Sequence, residues 1–216
     1  MNKAFIFDMD GVIVNSELVW EVYEQKFLPE ILGEKLYSQI KDQILGNSVS
    51  GIYSIASGYG IKIDKAQFEK VYDGYATKVY NEAKLTAGIE TLIDKLVTMD
   101  FKLGLVSSSR QYWIDIVLSR LNNRDRFQFI MSLDGENVKP KPSPDGYLEA
   151  IKILDSRPNL SMILEDSKKG VQAAKASGAF TICLQENLPK GYLPPNADKY
   201  TTSIRELIEQ IESINI

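Results

Sequence analysis

From about residue 86 onward, apolar stretches with the character of β-strands alternate with stretches of helical periodicity. Strands are predicted at 102–106, 127–131, 161–164 and 180–184. Between them, apolar residues recur at the spacing found on the buried face of a helix. Strands that alternate with helices in this way indicate a parallel, doubly wound sheet of the α/β class.

One more predicted strand, at residues 3–7, lies far from this alternating region. About eighty residues separate it from the first helix of the region, whereas a βα loop typically has ~2–6 residues. The intervening residues have helical periodicity, with Pro29 predicted to end the first helix. We therefore expect two domains: a helical cap of residues 15–84, seated over the end of the first strand, and a Rossmann-like core of residues 1–14 and 85–216.

The composition limits the classes of partner and location. The net charge is −4 with no basic cluster, which argues against nucleic acid as a partner. No apolar run approaches the ~20 residues of a membrane span, and the first residues do not resemble a signal peptide. The single cysteine, Cys183, cannot form an internal disulfide. We expect a cytoplasmic monomer that binds neither membranes nor nucleic acid.

The chain contains no histidine. This excludes nucleophiles activated by histidine and zinc sites with histidine ligands. Acid–base chemistry must therefore use carboxylates, lysine or tyrosine.

The first predicted strand ends abruptly at two acidic residues. Asp8 and Asp10 follow the apolar run at 4–7 and lie on the same side of an extended chain, and Gly11 permits a sharp turn after them. Two carboxylates this close repel each other, so they need a cation, a shared proton, or both. This strand end is a candidate active site.

Three further polar stretches leave the carboxyl ends of predicted strands, and they contain Ser107–Arg110, Lys141 and Glu165–Asp166. Ligands of open α/β sheets bind at this edge, so we expect all of these stretches to line one crevice. Ser107 and Ser108 offer hydroxyls and backbone N–H groups that suit an anion. Alternatively, the serines only cap the following helix.

Structural interpretations also exist for the lysine and the acidic pair. The prolines that follow Lys141 stiffen its backbone, and Ser143 is predicted to cap the next helix. Lys139 competes for the same role, and a solvated surface lysine is the plain alternative. The acidic pair could instead cap the helix that follows it, a role that Ser167 could also fill.

The charges of the predicted crevice favour a metal ion. Its four carboxylates carry four negative charges against one positive charge on Lys141. Bound Mg²⁺ would reduce the imbalance to about −1, and protonation of one carboxylate would reduce it to zero. Oxygen-only ligands favour Mg²⁺ over zinc or copper. The sequence therefore predicts a Mg²⁺ site and one carboxylate with a raised pKa.

Four motifs, in this order, resemble those of the haloacid dehalogenase-like superfamily, in the group with a helical cap after the first strand. The segments DMDGVIVNSE, LGLVSSS, KPSPDGY and ILEDSKKGVQAAKASG are similar to its motifs one to four. The resemblance covers essentially the whole chain. It implies a Rossmann-like core, a Mg²⁺ cofactor and enzymatic activity.

The resemblance also implies a role for each matching position. Asp8 would attack phosphorus to form an aspartyl-phosphate, and Asp10 would protonate the leaving oxygen and then activate water. Ser107, Ser108 and Lys141 would hold the phosphoryl oxygens. The metal would be held by the side chains of Asp8 and Asp166, the backbone carbonyl of Asp10 and, through water, Glu165.

Within this family, the residues favour a phosphatase that acts on a small phosphorylated metabolite, such as a sugar phosphate. Asp10 argues for phosphoryl transfer, since the founding dehalogenases lack an aspartate there. The alternative is a phosphotransferase of the β-phosphoglucomutase type. That enzyme has an arginine just beyond its cap specificity loop, which residues 44–48 resemble, and a histidine early in the cap; this chain has Val49 and Trp20. A silent phosphate sensor is disfavoured, because every catalytic position is filled.

The cap is expected to contribute specificity through Trp20, Tyr23, Asn47 and Lys78. Their position and polarity suggest contact with substrate. Packing within the cap is the alternative for each of them.

Overall fold

A computed structural model describes residues 1–44, 47–135, 138–188 and 191–214. The chain divides into two compact units. One contains Met1–Asn15 and Lys84–Ile216, and the other contains Ser16–Ala83.

The first unit is built on a six-stranded sheet. In chain order, the strands of this sheet and of a separate short ribbon are β1 Lys3–Phe7, β2 Val14–Asn15, β3 Lys84–Leu85, β4 Phe101–Ser107, β5 Phe127–Ser132, β6 Ser161–Glu165, β7 Phe180–Leu184 and β8 Lys199–Thr201. The sheet order is β5-β4-β1-β6-β7-β8, and every neighbouring pair is parallel. The predicted α/β class is therefore confirmed.

The register of the central strands sets the position of the site. Phe7, the last residue of β1, pairs with Leu105 in β4 and with Leu164 in β6. All three strands consequently end at the same edge. The residues of β1 after Lys3 are fully buried, as expected for the middle of a sheet that is covered on both faces.

Helices flank this sheet on both faces. They are α5 Ile89–Thr98, α6 Gln111–Leu118, α7 Asp145–Ile153, α8 Lys168–Ser177 and α9 Ile204–Gln210. Ser203 caps α9 by accepting a hydrogen bond from the Glu206 backbone N–H. β2 and β3 form a separate antiparallel ribbon, and neither these strands nor β8 was predicted, because two or three residues carry no readable periodicity.

The second unit consists of the helices α1 Glu17–Leu32, α2 Glu34–Ile44, α3 Val49–Ser57 and α4 Lys65–Glu82. Its core is aromatic, and Phe27, Phe68, Tyr72 and Tyr80 are almost fully buried in it. The prediction that Pro29 ends the first helix is wrong, because Pro29 lies inside α1. A proline removes one helical hydrogen bond, and the helix continues for three more residues.

Two further findings concern the described helices and the predicted specificity loop. Among the described residues, no helix is both long enough and apolar enough to cross a bilayer. Of the predicted specificity loop, residues 45 and 46 lie outside the described part of the chain.

Candidate active site

Asp8 is the first residue beyond β1, and its backbone N–H donates to the Leu164 carbonyl at 3.0 Å. This bond extends the pairing of β1 with β6 by one residue and fixes the start of the loop. Gly11 has φ +77°, and a Cβ atom on it would overlap the Asp166 carboxylate. Glycine is therefore required here both for the left-handed turn and for the close approach of the two loops.

The Asp10 carboxylate contacts the serine run after β4. Ser109 Oγ donates to Asp10 Oδ2 at 2.6 Å. Ser109 is itself held at both ends, since its N–H donates to Ser107 Oγ at 3.0 Å and its carbonyl accepts from Ser132 Oγ at 2.7 Å. Sequence reasoning missed Ser109 as a site residue, although it belongs to the same run as the two serines that were selected.

The other two serines differ in exposure. Ser107 is 1% exposed at the end of β4, whereas Ser108 is exposed to solvent. The alternative that these serines cap the next helix is wrong, because α6 begins after Arg110 and has no side-chain cap. Ser107 therefore ends β4, and Ser108 begins the loop that follows it at the sheet edge.

Lys141 is buried, and its ammonium group joins two acidic residues. Its Nζ donates to Asp8 Oδ1 at 2.6 Å, to Glu165 Oε1 at 2.6 Å and to the Val106 carbonyl at 3.2 Å. The competing Lys139 has a side chain that is 78% exposed and pairs with Asp145. The structure thus places Lys141 beside Asp8, and the interpretation of Lys141 as a solvated surface residue is wrong.

The local geometry around this lysine differs from the prediction in one detail. Ser143 does not cap α7, because Pro144 occupies the cap position and the helix begins at Asp145. Ser143 Oγ accepts only a long bond, at 3.5 Å, from the Asp145 N–H. Pro144 makes no side-chain cap, although its fixed φ suits the start of a helix.

Glu165, the last residue of β6, has a carboxylate that is fully enclosed by donors. Oε1 accepts from Lys141 and from the Tyr147 hydroxyl, each at 2.6 Å. Oε2 accepts from the N–H of Asp166 at 3.1 Å and from the N–H and hydroxyl of Ser167 at 3.2 and 3.1 Å. Gly170 leaves room for this group, since a Cβ on it would overlap the carboxylate.

Ser167 also performs the capping role that was left open between it and the acidic pair. Its Oγ accepts from the Gly170 N–H at 3.0 Å at the start of α8. Ser167 is therefore the N-cap of α8.

Asp8, Lys141 and Glu165 shift one another's pKa values. Burial raises the pKa of Asp8 to about 8; Lys141 offsets part of this rise, and the charges of Glu165 and Asp10 add to it. Burial also opposes ionisation of Glu165, but Lys141 and the surrounding hydrogen bonds lower its pKa below the ordinary value. The raised pKa that the sequence predicts for one carboxylate is found at Asp8.

The carboxylates fit a hard cation. Asp8, Glu165 and Asp166 each offer one oxygen, and these three atoms lie within 4.8 Å of one another. Oxygen donors at this density are typical of Mg²⁺ or Ca²⁺ ligands. Both Glu165 oxygens already accept hydrogen bonds, which makes Glu165 less suited to direct contact with a metal.

The residues predicted to contact substrate from the helical unit have contacts within that unit. Trp20 is half-buried and packs on the rings of Tyr72 and Tyr80, with centroids 5.5 and 5.9 Å away. Asn47 Nδ2 donates to the Gln43 carbonyl at 2.8 Å. Two further contacts involve exposed or half-exposed groups: Tyr23 donates to Glu82 at 2.7 Å, and the Lys78 ammonium lies 5.8 Å from the Tyr75 ring.

Comparison with known proteins gives a family. The family profile described as haloacid dehalogenase-like hydrolase matches residues 5–184. The phosphorylated carbohydrates phosphatase of Thermotoga maritima is 30% identical over 180 residues, which cover 82% of this chain and 82% of that protein. The β-phosphoglucomutase of Bacillus subtilis is 30% identical over 201 residues, which cover 87% and 85%.

A solved structure supports the same assignment. The crystal structure of β-phosphoglucomutase from Clostridium difficile superposes with a TM-score of 0.75 and 26% identity, and the match covers 99% of this chain and 96% of that one. The resemblance seen in the four sequence motifs is thereby confirmed. The chain belongs to the haloacid dehalogenase-like hydrolase family.

Proposed function

We propose that this hydrolase is a Mg²⁺-dependent phosphatase that releases phosphate from a small phosphorylated metabolite, most simply a sugar phosphate. The observation that carries the proposal is the convergence of Asp8, Lys141 and Asp166 at one edge of the sheet. Residues 133 positions apart in the chain form the 2.6 Å contact between Lys141 and Asp8. A buried nucleophile beside a fixed cation suits attack on an anionic phosphoryl group.

The mechanism assigns different tasks to the two aspartates. Asp8 attacks phosphorus and carries the phosphoryl group as an aspartyl-phosphate. Asp10 first donates a proton to the leaving oxygen and then removes one from the attacking water. The Ser109 hydroxyl, 2.6 Å from Asp10 Oδ2, holds this carboxylate in a defined orientation between the two steps.

Other groups bind the phosphoryl oxygens and the metal. Ser107, Ser108 and Lys141 supply donors to the oxygens on which charge develops. Asp8 and Asp166 would hold Mg²⁺ through their side chains, and Asp10 would do so through its backbone carbonyl. When bound, Mg²⁺ supplies positive charge that keeps Asp8 ionised near neutral pH and offsets the charge of the substrate. Glu165 acts indirectly, because its carboxylate holds the Lys141 ammonium group in place.

The relatives support the substrate class. The named Thermotoga maritima relative is a phosphatase of phosphorylated carbohydrates, which favours sugar phosphates as substrates. The named mutase relatives keep the isomerising phosphotransferase as a second candidate. Val49 and Trp20, at positions where the mutase has arginine and histidine, favour the phosphatase. The cytoplasmic location and monomeric state stay predictions.

The test is a screen of phosphorylated metabolites with free phosphate as the readout. We expect release that requires Mg²⁺, stops on chelation and falls by about 10³-fold or more in Asp8→Asn, because the nucleophile is lost. Asp145→Asn, at an exposed carboxylate that pairs with Lys139, is the matched control and should keep full activity. Full activity in Asp8→Asn would contradict the covalent mechanism.

A second assay separates the two candidate reactions. The enzyme is incubated with β-glucose 1-phosphate and a bisphosphate primer, and glucose 6-phosphate is measured alongside free phosphate. We expect free phosphate to predominate. Stoichiometric formation of glucose 6-phosphate would establish the mutase instead.

A further inference from the structure

All three N–H donors of the Lys141 ammonium group are used in hydrogen bonds. A lysine carries three N–H donors, and those of Lys141 are directed to Asp8 Oδ1, Glu165 Oε1 and the Val106 carbonyl. The side chain is only 5% exposed. To bind a phosphoryl oxygen as proposed above, Lys141 must therefore give up one of these partners.

The Glu165 partner can be given up only if another donor takes its place. A buried carboxylate that loses its cation is strongly destabilised. Tyr147, which is 1% exposed in the core of the first unit, already donates its hydroxyl to the same Oε1 atom at 2.6 Å. Its ring also lies 5.0 Å from the Lys141 Nζ, within the range of a cation–π contact.

We propose that Tyr147 is a positioning residue for phosphoryl transfer: its hydroxyl shares Glu165 Oε1 with Lys141, so that the ammonium can move one hydrogen bond from Glu165 to a phosphoryl oxygen. This proposal rests on the proposed phosphatase function. No covalent bond changes at Tyr147 itself. The ring keeps the ammonium close while the hydroxyl keeps Glu165 satisfied.

Packing alone does not require this hydroxyl. Tyr147 belongs to an apolar cluster with Ile6, Ile151 and Ile163, where a phenylalanine would fill the same space without a polar atom to satisfy. The hydroxyl instead contacts the carboxylate that holds Lys141. A purely structural tyrosine and a positioning tyrosine therefore differ in what the loss of the oxygen does to the reaction.

The test compares two phenylalanine variants under saturating Mg²⁺, with the best substrate of the phosphate-release screen. Tyr147→Phe keeps the ring and removes the hydroxyl. Tyr72→Phe is the matched control, because Tyr72 is equally buried and donates to a glutamate, Glu24, at 2.9 Å in the helical unit. Thermal unfolding of both variants reports the structural cost of losing a tyrosine–glutamate hydrogen bond.

We expect kcat of Tyr147→Phe to fall about tenfold with KM changed less than about threefold, because charge on the phosphoryl oxygens develops mainly in the transition state. Tyr72→Phe should keep kcat within about twofold, with a shift in melting temperature similar to that of Tyr147→Phe. An unchanged kcat in Tyr147→Phe, a change confined to KM, or equal losses of kcat in both variants would each overturn the inference. Failure of the wild-type protein to release phosphate would overturn the proposed function itself, so the two failures are distinguishable.

Discussion

Each unit of the chain contains a buried tyrosine that donates its hydroxyl to a glutamate. In the first unit, Tyr147 bonds Glu165 at 2.6 Å, and in the helical unit Tyr72 bonds Glu24 at 2.9 Å. The pKa shifts of the two glutamates have opposite signs. The pKa of Glu165 is lowered, whereas burial raises the pKa of Glu24 to about 7.

The difference comes from what surrounds each pair. Glu165 shares Lys141 and receives backbone and hydroxyl donors from the start of α8. Glu24 has its Tyr72 hydrogen bond, which offsets part of the rise in its pKa, but the charges of Glu17 and Glu21 on the same helix raise it further. With the tyrosine hydrogen bond alone, the pKa of half-buried Glu24 is raised, whereas the added cation Lys141 lowers the pKa of Glu165.

Removing the Lys141 cation should have the largest effect on the difference between the two pairs. We expect Lys141→Met to lower the free energy of unfolding by about 3–5 kcal/mol at pH 8, because it leaves the Asp8 and Glu165 carboxylates buried without a counter-charge. Activity should fall by ~10²–10³-fold. Urea unfolding in the presence of a chelator measures the first quantity, and phosphate release measures the second.

The matched control for this variant is Lys139→Met. Its side chain is 78% exposed and pairs with Asp145 at the surface, so we expect a change within about 0.5 kcal/mol. A Lys141→Met protein as stable at pH 8 as the wild type would show that the cation does not decide the ionisation of Glu165.

Replacing Glu24 tests the pair that lacks a cation. A carboxyl group whose folded pKa is about 7, against an ordinary value of 4.5, binds its proton more tightly in the folded state. The stabilisation that Glu24 contributes should therefore be fully present below pH 4.5 and be lost as the pH rises through 7. The loss should amount to about 3 kcal/mol at most. Glu24→Gln keeps an oxygen acceptor for Tyr72 and should not show this loss.

The measurement is the difference in unfolding free energy between wild type and Glu24→Gln at pH 5 and at pH 8.5. The difference should favour the variant only at the higher pH. Glu30→Gln, at an exposed position of the same helix, should follow the wild-type pH dependence. A constant difference at both pH values would show that Glu24 does not titrate in this range.

Adding a metal should sharpen the comparison, because the acidic cluster found among the described residues lies in the first unit. We expect Mg²⁺ at ~100-fold its dissociation constant to stabilise the protein by about 2.7 kcal/mol. Because burial raises the pKa of Asp8 to about 8, protons compete with the metal, and the half-saturating Mg²⁺ concentration should fall as the pH rises from 6 to 8.5.

Melting temperature as a function of Mg²⁺ concentration measures this stabilisation. Asp166→Asn should weaken it, and Glu24→Gln should leave it unchanged. A stabilisation of the same size in Asp166→Asn would remove this residue from the metal site.

The sequence predicted the sheet and the strand-end residues because both depend on local patterns. Apolar runs between helical segments identify the strands, and polar residues directly after them identify the edge at which Asp8 and Asp166 lie. The Tyr147–Glu165 bond could not be predicted in this way. Helical spacing describes Tyr147 only as a core residue, and the direction of its hydroxyl depends on how α7 packs near the end of β6.

Glu24 shows the same limit in the helical unit. It lies among acidic residues of α1 whose sequence pattern indicates a solvent-exposed face. The hydrogen bond from Tyr72 to Glu24 depends on the packing of α4 against α1. Its raised pKa follows from that tertiary contact and not from its sequence neighbours alone. Charge states of buried groups therefore need the three-dimensional arrangement, even where the fold itself can be predicted.

The smallest expected effect is the pH dependence of the two tyrosine hydrogen bonds. Tyr72→Phe should cost about 0.5–1 kcal/mol of unfolding free energy at pH 5, where Glu24 is neutral, and about 1.5–2 kcal/mol at pH 8.5, where the bond is to a charged group. Tyr147→Phe should show no such increase, since Glu165 is ionised at both pH values. Urea unfolding of both variants at the two pH values measures the effect. An equal increase in both would mean that Lys141 does not distinguish the two pairs, and the difference in the signs of their pKa shifts would then need another cause.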